Sequence, residues 1–564
     1  VLQWRKCTEE ENMRVKGVSS SHGRFFWTAG LFLCLGLWGH VLAAVPGGQE
    51  GTGEEALMDA AGRPKVLLLG VGDSLTQGTM DAVNHKTNTE NAFLQWVWKM
   101  LRRSGWKVKL TQPWLSNEGV RLNPNSVPSN LGVDGEDMFS LVGLEYGKRA
   151  GAPTNDPVGH FICDAPESGL MNSMHDKVLF PINLRAGKAV TQLDALIWHL
   201  NNLTMPAVVC FWVGNNDSGL AALGLGGSSP QFLPIPYAQI KSKLGFSLQF
   251  LLDYGLNRGD ISFSPYTPAN ISRNLTDEVD FIAQYNDVML RLNSEADLTT
   301  ADIFLCTFPY YCDVGYLFDR ADLAYYLNGN GYQVPEFGGR VSLLTFVCMY
   351  ALQMGGETQP LDRILQQEHD VVLSLTDPLE YPAIRSRIDA FNRVAKSQPG
   401  VHIVKTGRKL NKHFRNGLNV DGTKLTRSWG RGGSFSIDGV HPGYTIHAHI
   451  ANIILKQINR RLKIKAPLND LGPILKVDPY VDHDGDGWVK GPPGEGFGRT
   501  RILYLLKDAD GDSGADPEGK ALIDLMTPDE VWELFNDALL EEVVDIPAMR
   551  TEAERLGLWP IRKD

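Results

Sequence analysis

Basic charge, cysteine and long apolar runs are all in short supply in this chain. Asp and Glu outnumber Lys and Arg by 65 to 54, leaving a formal net charge of -11. That balance excludes nucleic acid as a general partner, because no basic excess is available to neutralise phosphates. Beyond the first fifty residues no apolar run reaches membrane-spanning length. Repeats of solenoid length and extended low-complexity tracts are also missing, which excludes solenoids and arrays. Only seven cysteines occur in 564 residues. Two of them, Cys7 and Cys34, fall in the leader described next. The remaining five, Cys163, Cys210, Cys306, Cys312 and Cys348, are odd in number and allow at most two disulfides. Cys210 and Cys306 lie in apolar strand-like runs and read as buried thiols, although Cys306 and Cys312 are near enough to close a small loop.

What is present begins with an export signal. Arg14, Lys16 and Arg24 form a basic region ahead of the apolar run Phe25 to Leu42, and Val41-Leu42-Ala43 supplies the small or modest side chains a signal peptidase reads. Met13 lies just upstream of the basic residues and is a candidate start. The alternative is an uncleaved anchor, against which His40 and the Ala43-Ala44 ending weigh. Residues 1–43 are therefore read as a signal peptide and 44–63 as a linker rich in Gly, Glu and Ala. The mature chain is expected to be secreted or periplasmic.

From residue 64 a rhythm of buried strand and helix sets in. Val66 to Leu69 is a short apolar run of the parallel-strand kind. Phe93, Trp96, Val97, Met100 and Leu101 recur at helical spacing. Trp106 to Leu110 reads as a second strand and Gln112 to Asn130 as surface loop. Helix-like 191–203 precedes the strand 207–213, helix-like 276–293 precedes the strand 301–308, and a helix marked by Ile384, Ile388, Phe391 and Ala395 precedes 401–404. Residues 444–458 form a last amphipathic helix. Such alternation implies an α/β fold with a parallel sheet and helices on both faces. Segments 220–275 and 310–380 are too long for simple connections and read as insertions.

The stretch Lys65 to Gly78 carries the chemistry. Ser74 follows the first strand among Gly70, Gly72 and Gly78, the position where open α/β sheets bind ligands. A capped glycine turn is the plain alternative. A serine needs a histidine to take its proton and an acid to orient that histidine. Asp438-Gly-Val-His441 offers both on one turn before the last helix. His447 and His449 lie two apart on that helix, on different faces, and are not read as a metal site.

Taken together, Gly72-Asp73-Ser74-Leu75, Asn130-Leu-Gly-Val-Asp-Gly135, Gly214-Asn-Asn216-Asp217 and Asp438-Gly-Val-His441 resemble the blocks of the GDSL, or SGNH, hydrolase family, in family order. The resemblance spans about residues 64–466 and implies a three-layer α/β/α flavodoxin-like fold. It implies Ser74 as nucleophile, His441 as base then acid, and Asp438 as its partner. The oxyanion donors it implies are the Ser74 N–H, the Gly135 N–H and the Asn216 amide. The second block departs from the pattern, with Asp134 where a small hydroxyl residue is usual and Gly132 as a competing donor. The chain from Asp217 to Asp438 is also longer than in compact members.

Residues 467–564 read as a separate acidic module. Between Asp478 and Glu518 ten acidic residues face four basic ones. Asp482-His-Asp484-Gly-Asp486 repeats as Asp508-Ala-Asp510-Gly-Asp512, with Asp516 beyond. Alternate aspartates on a tight turn converge oxygens on a hard cation, and the pattern resembles calcium loops of EF-hand or thrombospondin-repeat type. The glutamate that closes an EF-hand loop is missing, since Pro493 and Gly519 stand there. Thr527-Pro-Asp-Glu530 is a capping box opening a helix through Leu540.

The expected function is an exported carboxylic ester hydrolase needing no catalytic cofactor, with calcium assigned to the tail. Aromatic residues in 308–318, with Tyr325 and Tyr326, suggest a wall for a lipid or lysophospholipid acyl chain, and transient contact with a membrane or cell surface. The same residues suit a sugar ring, so removal of acetyl groups from polysaccharide is the alternative. A calcium-dependent surface binding protein with an inactive hydrolase domain is the alternative of another class. The tail reading makes a direct prediction. The carboxylates of the two loops repel one another without a cation, so calcium should raise the melting temperature by mass action. Chelation should speed proteolysis within 478–520 while initial rates on a small soluble ester hold, and Asp484→Ala with Asp510→Ala should erase the response. Immediate loss of turnover on chelation would place the ion in the chemistry instead.

Overall fold

Val66 to Leu69 has no polar side chain to keep hydrated, and the strand it belongs to, β1 (Lys65–Gly72), is buried everywhere but at its first residue. In the computed structural model the described residues are 65–80, 84–116, 119–149, 161–224, 266–328, 332–343, 345–346, 349, 365, 371–483 and 489. All fall in one compact unit, residues 53–564. Residues 1–64 and 490–564 lie outside the description. So do the leader, the linker, the 527–540 capping-box helix, and Asp484, Asp486, Asp508, Asp510, Asp512 and Asp516.

β1 is joined by β2 (Lys107–Lys109), β3 (Ala207–Trp212), β4 (Ala301–Cys306) and, after three strands of the insertion, β8 (His402–Val404) in a five-stranded sheet ordered β2-β1-β3-β4-β8. Every pairing is parallel. The β1–β3 register sets Leu67 opposite Ala207 and Gly72 opposite Trp212, so the two strands finish level. Residues just past either end therefore meet at one edge of the sheet. The helices that flank it pack in two groups. Helix α2 (Phe93–Arg103) buries Phe93, Leu94, Val97, Met100 and Leu101, the stripe expected from helical spacing. It packs on the long C-terminal helix α7 (Tyr444–Leu462), and the His447 Nδ1 accepts from the Phe93 N–H at 3.2 Å. The other group joins α3 (Gln192–Asn201), α5 (Glu278–Glu295) and α6 (Tyr381–Ser397). There the rings of Phe281 and Phe391 stack with centroids 3.7 Å apart. Each such fully buried aromatic is worth on the order of 2 kcal/mol.

Three expectations need correction or refinement. Residues 112–116 and 119–130 are irregular, as expected of a loop, with Val120 and Leu122 exposed, but the segment also enters the interior: Gln112, Leu115, Arg121, Ser129 and Asn130 are buried. Backbone carbonyls replace the lost water around Arg121, whose guanidinium donates to the carbonyls of Lys177, Val178 and Ser126. Burial lowers its pKa to about 10. Cys306 and Cys312 close no loop; both are free and buried, as are Cys163 and Cys210. The insertion 310–380 holds a small antiparallel sheet of its own, from β5 (Leu317–Phe318), β6 (Gly339–Ser342) and β7 (Val372–Ser374).

The start of the expected tail module packs on α7. Asp478 Oδ2 accepts from the Thr445 N–H at 2.7 Å, Tyr480 is fully buried against Tyr444, and Val489 donates to the Gly430 carbonyl. Among the described residues no helix is long and apolar enough to cross a membrane.

Gly132 lies where the segment after the loop presses on the turn that follows β1. A Cβ there would sit 2.4 Å from the Gln77 nitrogen and 2.7 Å from the Thr76 carbonyl carbon, both backbone atoms that cannot step aside. Gly132→Ala should therefore lower stability by about 1–3 kcal/mol, read as a fall in urea midpoint. An unchanged midpoint would mean the two segments are not held together.

Candidate active site

Asp73 stops β1 and starts a single helical turn, α1 (Ser74–Gln77). Its Oδ1 caps the Leu75 N–H at 3.1 Å, and the turn closes at Gly78, where φ is +100°. Ser74 is the first helical residue, so its N–H has no acceptor within the turn. It is nearly buried, at 8% exposure. The level end of β3 delivers Gly214-Asn215-Asn216 beside it. The buried Asn215 amide donates to Asp73 Oδ2 at 2.7 Å. The part-exposed Asn216 donates to the Glu136 carbonyl at 2.9 Å, which uses one of its two N–H groups. Asn216 thus reaches the backbone of the segment that bears Gly135.

Residues 130–135 are laid along the end of β1. Leu131 donates to the Gly70 carbonyl at 2.8 Å and Val133 to that of Gly72 at 3.0 Å. The Asn130 amide reaches the Thr76 carbonyl at 2.9 Å, and Gln77 Oε1 accepts from the Asp134 N–H at 2.7 Å. The buried Gln192 amide at the start of α3 bonds the carbonyls of both Gly72 and Leu131. Gln77 and Gln192 carried no recognisable signal in the sequence, since a glutamine at a helix start is ordinary until its partners are known. Gly135 takes φ +79°, and its N–H bonds the Asp134 carboxylate. Asp217, the last residue of the third block, is structural: it accepts from the Met138 N–H and the Thr276 hydroxyl.

Asp438 and His441 form a closed unit on the loop before α7. Asp438 Oδ1 accepts from the N–H groups of Val440 and His441 at 2.8 and 2.9 Å and from the Ser436 hydroxyl at 3.0 Å. This leaves Oδ2 to meet His441 Nδ1 at 2.6 Å. The insertion braces the loop, Tyr316 donating to the Gly439 carbonyl at 2.7 Å. Burial works to lower the pKa of the imidazole, but the charge and hydrogen bond of Asp438, then the charges of Asp134 and Asp73, outweigh it, and the net shift is upward. Asp73 is pushed up to about 7 by burial, against the pull of Asn215, Leu75 and His441. Burial also raises Asp134, with His441 and Asn84 opposing. The charges of Asp73 and Asp134 act on His441, so the first, second and fourth blocks lie near one another. The Ser74 hydroxyl itself makes no hydrogen bond to the ring.

Other residues singled out in the sequence fall elsewhere. His447 is a buried acceptor for α2, and His449 lies near His413 in the same packing. The aromatic insertion supplies core: Phe308, Tyr311 and Phe318 are buried, Phe318 stacking on Phe346 at 4.5 Å, while Tyr325 is exposed with Arg431 over its ring. Asp482 is half-buried at the end of the described tail. Among the described residues no group of three or more His, Cys, Asp or Glu is placed to hold a metal ion.

The chain was compared with protein families, curated proteins and solved structures, and none of the three comparisons found a match.

Because Asp438 is the largest influence raising the His441 pKa, Asp438→Asn should move the titration of the ring downward, followed by the NMR shift of its Cε1 proton. The sign for stability follows. A ring with a raised native pKa contributes fully below its unfolded value of about 6.5, and loses that contribution as pH rises through the native pKa. The wild-type advantage from this ring should therefore be greatest at mildly acid pH. An unmoved titration would show that the bond to Asp438 does not set it.

Proposed function

We propose that the chain is a serine carboxylic ester hydrolase of the SGNH type, exported and built on a three-layer α/β/α fold. The strand order β2-β1-β3-β4-β8 supports this, being the order of flavodoxin-like doubly wound sheets, whose ligands bind past the strand ends where the chain reverses direction. Ser74 and Asn216 follow the two strands that flank that reversal. The single observation that carries the reading is the 2.6 Å bond from Asp438 to His441 Nδ1, on a ring that also feels the charge of Asp73 beside Ser74. An imidazole held at Nδ1 by a carboxylate presents Nε2 as base.

In this reading the Ser74 hydroxyl gives its proton to His441 as it attacks the ester carbonyl. The Ser74 N–H, the free N–H of the Asn216 amide and the Gly135 N–H receive the oxyanion, each worth a few kcal/mol in the transition state. For Gly135 this means the oxyanion replacing the Asp134 carboxylate on its N–H. His441 then protonates the leaving alcohol, and water activated by the same ring releases the acid. Lipid or lysophospholipid acyl esters and acetylated polysaccharide remain the two substrate classes the family resemblance supports. Of the aromatic residues expected to form a wall, Phe308, Tyr311 and Phe318 are buried while Tyr325 is exposed. Calcium belongs, in this proposal, to the acidic tail and not to the reaction.

Ser74→Ala and His441→Ala should each lower ester turnover by about 10⁴-fold or more, with Asp438→Asn the milder lesion. A p-nitrophenyl ester series run with acetylated xylan reads the activity, and a fluorophosphonate probe should label wild type but not Ser74→Ala. Full turnover in Ser74→Ala would overturn the mechanism.

A further inference from the structure

A buried acid and histidine that the triad does not use lie next to the proposed oxyanion donors. Glu136 follows Gly135 and closes the turn that bears it, its N–H donating to the Val133 carbonyl at 3.2 Å while Gly135 takes φ +79°. Val133 donates to the Gly72 carbonyl at the end of β1, so one end of the turn is fixed. The other end is Glu136, whose carbonyl accepts from the Asn216 amide at 2.9 Å. The Glu136 side chain meets His175, with Oε2 3.0 Å from Nε2 and the two side chains 1% and 2% exposed. His175 belongs to the short helix Met174–Leu179, which a Ser173–Asp176 capping box starts. The Asp176 carboxylate also accepts from the N–H groups of Asp164, Ala165 and Asn172, which ties that helix down. The Met174 sulfur accepts from the Gln77 amide, whose oxygen takes the Asp134 N–H. The turn and this helix are thus joined on both sides of Gly135.

Resting on the hydrolase reading above, we propose that Glu136, anchored by His175, is a positioning residue: its carbonyl sets the plane of the Asn216 amide so that the second N–H of that amide meets the oxyanion. An amide NH2 group is planar, so giving one hydrogen to a fixed acceptor determines where the other lies. Asn216 is part-buried at the start of the helix Asn216–Leu223, and without that acceptor its side chain is free to change rotamer. A donor placed ahead of the reaction costs no reorganisation when charge develops, and a displacement of about 1 Å forfeits much of that gain. The carbonyl can serve only while its own residue is held still. A buried carboxylate is held by its partner, since leaving it unpaired is costly. The side chain of Glu136 therefore acts on the reaction through its own backbone and then through Asn216. A residue that served packing alone would change stability, and its effect on rate would not depend on whether Asn216 is present.

The test is a double-mutant cycle on p-nitrophenyl butyrate in the full chain. Asn216→Ala should lower kcat by about 100-fold or more. Glu136→Ala should lower kcat by about tenfold or more with KM within about twofold, the mark of an interaction made in the transition state. Added to Asn216→Ala, the same change should cost less than about twofold further, because the amide it positions is gone. Glu136→Gln keeps the side-chain length and an oxygen for His175, and should recover most of the rate. Hexyl trifluoromethyl ketone, which forms a tetrahedral oxyanion on the serine, should bind Glu136→Ala more weakly by a factor similar to the loss in kcat. Glu136→Met with His175→Phe fills the space without a buried charge and so should fold even if Glu136→Ala does not; it should keep a low kcat at a wild-type urea midpoint. Independent, multiplying effects of Glu136→Ala and Asn216→Ala, or wild-type kcat in the folded Glu136→Met, His175→Phe variant, would overturn the inference while leaving the hydrolase reading intact. Failure of wild type to cleave any p-nitrophenyl ester would instead remove the hydrolase reading and this inference with it.

Discussion

The pairing of residues 129–133 with the end of β1 holds the cleft together. Gly70 donates to the Ser129 carbonyl and receives Leu131, and Gly72 receives Val133. These bonds act as an extra, short strand on the side of β1 away from β3. Without them Asp134 and Gly135 would have no fixed place relative to Ser74. The close approach demands glycine in the layer between, which is why Gly70, Gly72 and Gly132 all lie within contact of Thr76. Amides from Asn130 and Gln192 then satisfy carbonyls that the turn leaves unpaired, as buried carbonyls require.

Electrostatics in the cleft are a balance of burial against pairing. For Asp73 and Asp134 burial wins and the carboxyl pKa rises, while for His441 pairing wins and the ring pKa rises. The imidazole is held by Asp438 and influenced by Asp73 and Asp134. The arrangement favours a ring that takes up a proton readily. That is the property the proposed general base would need.

The insertion 310–380 has a structural part in this. It carries its own three-stranded sheet, and its Phe318 and Phe346 pack with Trp429 from the segment ahead of the Asp438 loop. From that core Tyr316 reaches the Gly439 carbonyl, and Arg427 of the loop region bonds the carbonyls of Val314 and Leu317. The loop bearing Asp438 and His441 is long and rich in glycine, and these contacts hold it in one conformation.

The sequence by itself determined the elements with strong periodicity: the apolar strands β1, β3 and β4, the amphipathic α2, α5 and α6, and the helix α7 after the histidine. Burial on one stripe or on both faces leaves a pattern in the residues that needs no partner to be read. It also determined the Asp438–His441 pair, since a carboxylate three residues before a histidine on a turn can fold back on it. The burial of Gln112, Leu115 and Arg121 within the loop, the free state of Cys306 and Cys312, the burial of Phe308, Tyr311 and Phe318 and the stapling by Gln77 and Gln192 were decided only by the tertiary structure. Each depends on which distant backbone carbonyl or ring lies opposite, and that contact is set by sheet register and not by local spacing.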